Sequence, residues 1–113
     1  MKVLVHTDRN IHTDESQERR IQDDLAAALA RFSESLTRVE VHLSDESAWR
    51  STGDDIHCRL EARPTHQEPV TVSHQASTQE EALVGATDKM ETLLTHKFDR
   101  LTEKDRRDTI RGQ

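Results

Sequence analysis

Apolar and polar residues alternate along three successive stretches of this chain, and the alternation predicts three strands. Arg38-Val-Glu-Val-His-Leu-Ser44 puts Val39, Val41 and Leu43 on one side and Arg38, Glu40 and His42 on the other, the period of two that a sheet with one wet face requires. Asp55-Ile-His-Cys-Arg-Leu-Glu-Ala62 repeats the pattern, and Pro69-Val-Thr-Val-Ser-His74 repeats it more weakly. Ahead of them, Lys2-Val-Leu-Val-His-Thr7 reads as another strand with Val3 and Val5 toward the core. A polar loop from Asp8 to Thr13 follows, in which Ile11 tucks under the next element.

Two segments carry a helical period instead. Thr13 or Asp14 caps the first, and Asp14, Glu15 and Glu18 sit favourably near its positive end. Ile21, Leu25, Ala28, Leu29 and Phe32 then form one apolar stripe, with Arg19, Arg20, Asp23 and Asp24 off it. Thr78-Gln-Glu-Glu81 reads as a capping box, the Thr78 hydroxyl and the Glu81 carboxylate each satisfying a helix-end amide. Ala82, Ala86, Met90, Leu93, Leu94 and Leu101 continue as the second stripe, with Leu83 and Phe98 at its margins. No apolar stripe extends past Leu101, so residues 1–101 read as one domain and 102–113 as a charged, flexible tail.

The order is therefore β-α-β-β-β-α, an α+β fold. A strand-helix-strand crossover makes the first two strands parallel, and the later strands follow as antiparallel hairpins. Both helices cover one face of a four-stranded mixed sheet. The other face shows Arg38, Glu40, His42, His57, Arg59, Glu61, Thr71 and Ser73 to water. Asp45 to Asp54 is a polar connection carrying Trp49 and a turn-forming Gly53.

Composition refines this picture in three ways. A hydrophobic content of 32% with 3% aromatic residues makes the core thin, and 113 residues suffice for one such core. The lone Cys58 excludes an internal disulfide or a CxxC metal motif, and its alternation points it inward. The net charge of −6 opposes generic nucleic-acid or membrane binding, but the charge is uneven. Residues 1–88 carry nine basic against seventeen acidic side chains, residues 89–113 seven against five. Any basic site is local, and Lys89, Lys97, Arg100, Lys104, Arg106 and Arg107 are its material. The bland account of that cluster is that it complements the negative end of the last helix.

Candidate chemistry is sparse. His42 and His57 fall on the wet face of neighbouring strands as a possible cross-strand pair, but no third ligand at a recognisable spacing and no HExxH motif accompany them. Neither a metal nor another cofactor is expected. No GxSxG elbow and no glycine-rich phosphate loop exist, so the chain reads as a non-enzyme without a small-molecule substrate. The N-terminal apolar run from Val3 to Val5 is too short for a signal peptide or a membrane span, which sets the expectation of a cytoplasmic protein. Trp49 is a possible contact residue.

Taken in order, these elements resemble the ribosome hibernation promoting factor / ribosome-associated inhibitor (protein Y) family over roughly residues 2–101. The resemblance rests on Val3-Leu4-Val5 with the Ile11 loop, on Leu25, Leu29, Arg31 and Phe32, and on Arg38 to Ser44. Val72-Ser-His-Gln-Ala76 and Asp88-Lys-Met-Glu91 complete it, the last similar to the family's Asp-Lys-Leu-Glu. It implies a monomeric, translation-silencing factor that binds the small ribosomal subunit near the mRNA/tRNA channel, with basic helix faces against rRNA phosphates. Lys89 matches the family's lysine, and Lys97, Arg100 and Lys104 fall in or beyond the basic half of its last helix; these four are the candidate rRNA contacts. The chain departs from the pattern at Thr92, Thr95 and His96, where the family tends to carry Gln, Arg or Lys, and at Glu80, where an aromatic is usual. It resembles an acidic short form lacking the second domain through which long forms dimerise ribosomes. The alternative expectation is a protein-interaction or regulatory module that kept the fold and lost rRNA binding. A double-stranded RNA-binding domain is disfavoured, because that family starts its second helix with lysines and this chain has Gln79-Glu-Glu-Ala82.

Overall fold

The computed structural model describes residues 1–46 and 55–111, with side chains through Arg100. Its elements are β1 (Lys2–Thr7), α1 (Glu15–Ala28), a single 3-10 turn (Ala30–Phe32), β2 (Leu36–Asp45), β3 (Ile56–Pro64), β4 (Val70–Ala76) and α2 (Gln79–Arg111). The strands form one sheet in the order β1-β2-β3-β4. β1 is parallel to β2, while β2/β3 and β3/β4 are antiparallel. The α+β fold expected from the pattern is the fold observed.

Register follows from the alternation. Val3 pairs with Val39 and Val5 with Val41; Val41, Leu43 and Val39 in turn lie opposite Leu60, Cys58 and Ala62. These side chains share the helix side of the sheet, where Val39, Val41, Cys58, Leu60 and Ala62 are completely buried. Leu25 from α1, Leu29 just after its end, and Ala82, Ala86, Met90 and Leu94 from α2 close over them. The small alanines at the start of the α2 stripe let that helix approach the sheet closely, and Met90 and Leu94 fill the space further along. Burial in this apolar layer pushes the Cys58 thiol up to about 12, which leaves it a protonated, inert core residue.

Local chemistry fixes the element ends. Asp14 caps α1: its Oδ1 accepts from the Gln17 amide at 2.8 Å, and the Gln17 side chain accepts from the Asp14 amide at 3.0 Å, a reciprocal capping box. At α2 only half of the expected box forms. The Thr78 hydroxyl accepts from the Glu81 amide at 3.1 Å, but the Glu81 carboxylate accepts from Ser77 Oγ at 3.1 Å. Asp8 pins the sheet end by accepting from the Asn10 and Asp45 amides, and the resulting turn delivers Ile11 into the core. In the β3–β4 hairpin, His66 takes the left-handed conformation with φ 61°, an uncommon setting for a residue other than glycine.

The two helices meet at one end and part at the other. Phe32 and Phe98 stack with centroids 5.6 Å apart, Arg31 lies over the Phe32 ring, and its guanidinium donates to the Thr95 hydroxyl. Toward the start of α2, an open cleft of about 170 Å³ separates them, floored by Ile21, Leu43 and Leu83 and edged by Arg20, Asp24 and Glu80. Each edge strand receives one helix side chain: Gln22 Nε2 donates to the Val3 carbonyl and Lys89 Nζ to the Ser73 carbonyl. Helical backbone continues through residues 102–111, the segment read from the sequence as a tail.

At Gly85 α2 comes close to the sheet, because a Cβ there would stand 2.1–2.5 Å from three atoms of the His74 ring. Gly85→Ala gains about 1 kcal/mol of helix propensity but forces that ring aside, a cost of about 1–3 kcal/mol. The expected result is a lower denaturation midpoint in urea. Adding His74→Ala should then recover most of the loss.

Candidate functional site

Of the four basic positions singled out in the sequence, three are described with their side chains. Lys97 and Arg100 follow Lys89 by eight and eleven residues, so the three project within an arc of about 80° around the α2 axis. Lys89 is exposed and bonds the Ser73 carbonyl at 2.9 Å, which turns this arc toward the β4 edge. Lys97 is half-buried and Arg100 exposed. Lys104 lies within α2, with its side chain outside the described residues, and Trp49 lies outside them altogether. The exposed surface of α1 is of mixed sign, with Glu15, Asp23 and Asp24 beside Arg19 and Arg20 and one long Arg20–Asp24 pair at 4.0 Å.

The open face of the sheet holds a second constellation that the sequence concealed. His42 lies opposite Arg59 rather than His57, which is paired with Ser44 and points its Nδ1 at Glu46 from 4.0 Å. The true neighbour of His42 is His6 on β1. The parallel register sets the two residues side by side, and their rings stack with centroids 4.7 Å apart and planes 14° from parallel. Glu40, two residues earlier on β2, accepts from His6 Nε2 at 3.1 Å through Oε1. Its other oxygen faces Arg38 Nη2 at 3.4 Å and Arg63 Nε at 3.9 Å, and Arg63 also makes a two-pronged contact with Glu61 at 2.9 and 3.0 Å. A depression of about 320 Å³ opens beside the histidines, bounded by Thr7, Asp8, Ser44, His57 and Arg59.

The electrostatics of this face are asymmetric. Desolvation raises the Glu40 carboxyl, but the His6 hydrogen bond and the charges of Arg38, His6 and Arg63 outweigh it and hold the group below its ordinary value. Desolvation, followed by the charges of Arg59 and His6, pushes His42 below the ordinary imidazole value despite Glu40 and Glu61. Both shifts act in one direction on stability. Below pH 6.5 the unfolded chain protonates His42 while the folded chain resists, so stability falls until the pH passes the depressed folded value. A second loss sets in below pH 4.5, as unfolded Glu40 takes up its proton before folded Glu40 does. Urea titrations between pH 7.5 and 3.5 should show both declines, and His42→Gln should remove the first.

Three comparisons bear on what carries these features. The sequence model of the sigma 54 modulation protein / S30EA ribosomal protein family matches residues 4–102. Among solved structures, the Thermus thermophilus Protein Y N-terminal domain superposes with a TM-score of 0.67 at 18% identity, covering 85% of this chain and 98% of that one. A ribosomal subunit interface protein from Coxiella burnetii superposes with a TM-score of 0.66 at 8% identity, covering 88% and 99%. Among curated proteins no sequence matches this chain. At such identities the two structures attest the fold, and the match spanning most of the chain attests the kinship: the chain belongs to the sigma 54 modulation protein / S30EA ribosomal protein family.

Proposed function

We propose that this chain is a ribosome-associated, translation-silencing factor of the hibernation type, binding the small ribosomal subunit near the mRNA/tRNA channel. Family membership across residues 4–102 is the observation that carries this reading. The likeness to a ribosomal subunit interface protein and to the Protein Y N-terminal domain supports it at the level of fold. The factor acts as a cytoplasmic monomer, by occupancy and without catalysis. No helix among the described residues is long and apolar enough to cross a membrane. The contact surface is the arc of α2 bearing Lys89, Lys97 and Arg100, with Lys104 beyond it. Lys89 spends one of its three ammonium donors on the Ser73 carbonyl and keeps its charge, so it can face phosphates together with Lys97 and Arg100.

A second reading draws on specific features as well. A net charge of −6 and Glu80 at the lip of the interhelical cleft suit a module that kept the fold and turned to a protein partner.

Co-sedimentation with purified small subunits on sucrose gradients at low salt separates the two. Ribosome binding predicts co-migration, with affinity falling by roughly 0.7–0.9 log units per phosphate contact per log unit of salt. Lys97→Glu with Arg100→Glu should weaken binding at least tenfold while shifting stability by about half a kcal/mol per site. Lys2→Glu with Arg59→Glu, on the open sheet face, should weaken it less. A folded protein absent from the subunit fractions supports the second reading, and a larger loss from the sheet pair moves the contact surface to that face.

A further inference from the structure

We propose that His6, Glu40 and His42 form a binding site for a divalent transition metal ion of the zinc class on the open face of the sheet. This goes beyond ribosome association and does not depend on it. The three side chains offer two imidazole nitrogens and one carboxylate oxygen, all within 4.8 Å of one another. Metal–ligand bonds of 2.0–2.2 Å in a tetrahedron place neighbouring ligand atoms about 3.3 Å apart. The His6–Glu40 pair already stands at 3.1 Å, and turning both imidazoles out of their near-parallel stack brings their nitrogens to converge with the carboxylate on one ion.

The backbone does the positioning. Glu40 and His42 share a face because they are two residues apart on one strand, and the parallel ladder sets His6 beside His42. The carboxylate is divided between two tasks. Oε1 faces the histidines, whereas Oε2 is turned toward Arg38 and Arg63, the kind of outer partner that orients a ligating carboxylate. On binding, His6 gives up the hydrogen on Nε2 and carries its proton on Nδ1, and Glu40 Oε1 exchanges an accepted hydrogen bond for a metal bond. The His6 side chain is 48% exposed, and the adjoining depression leaves space for water or another ligand at the remaining coordination position.

The donor set also defines what is excluded. Two imidazoles and one carboxylate suit zinc, copper, nickel or cobalt, whereas magnesium and calcium prefer oxygen throughout. Arg59, directly across from His42 on β3, places a positive charge beside the incoming ion. It tempers affinity without blocking the ligand atoms.

Zinc chloride titrated into the full chain at pH 7.5, followed by calorimetry and by histidine-detected NMR, tests the assignment. The expected result is one equivalent of zinc, selective movement of the His6 and His42 imidazole resonances, and no response to magnesium. His6→Gln and His42→Gln should each weaken zinc binding at least tenfold, with His57→Gln leaving it unchanged. Circular dichroism verifies folding, and if His42→Gln fails to fold, the exposed His6→Gln decides alone. Absence of binding, an equal response to magnesium, or undiminished affinity in His6→Gln overturns the proposal.

Discussion

The pairing of β1 with β2 is the constraint on which most of this molecule depends. Because side chains alternate strictly along a strand, one register decides both faces at once. The match of Val3 with Val39 and Val5 with Val41 puts four apolar side chains under the helices. The same match forces Lys2, Leu4 and His6 outward beside Arg38, Glu40 and His42. A slip of one residue would expose the valines and bury a histidine and a lysine, a penalty that specifies the register more firmly than the backbone hydrogen bonds could. The stacked imidazoles are thus a by-product of core formation, held in place by an apolar layer they do not touch.

The helices seal that layer from opposite sides and are held by different means. α1 is clamped at its end by Phe32 on Phe98 and by Arg31 reaching Thr95. α2 gains its depth from Ala82, Gly85 and Ala86, the small residues that let it lie close to β3 and β4. The bonds from Gln22 and Lys89 to carbonyls of β1 and β4 occupy one acceptor on each sheet edge. Edges so engaged are poorer templates for pairing with another chain. Lys89 therefore has a structural role as well, tying α2 to the β4 edge through one ammonium donor while its charge stays on the surface.

Much of the architecture was legible in the sequence because burial on one face leaves a period. Val39 to Leu43 and Ile56 to Ala62 announce their strands, and Ile21, Leu25 and Leu29 announce α1. What escaped were relations between distant segments that no period encodes. His6 looked like the polar end of a short strand, and only the parallel register brings it to His42; the pairing of His42 with His57 fails because an antiparallel neighbour is chosen by register, and here it is Arg59. Gln17 was hidden in a polar run, although a Gln three residues after an Asp is a recognisable capping signature. Glu81 had two plausible donors nearby and took the hydroxyl of Ser77. The three described cations of α2 were visible as a cluster, but their common arc and the tether on Lys89 needed the helix and its neighbour strand together.

The placement of sulfur in this fold has a consequence for its durability. The chain contains one cysteine and two methionines. Cys58 and Met90 are wholly shielded by the sheet and helices, and only Met1 reaches the surface. Oxidation proceeds up the thiol ladder from an accessible thiolate, and methionine sulfoxide forms where oxidant can reach the thioether. The folded domain offers neither inside its core, so peroxide can mark the first residue while the packing layer stays chemically intact. Oxidation of the two core sulfurs then requires the layer of Val39, Leu60 and their neighbours to open, so it reports how often the fold opens.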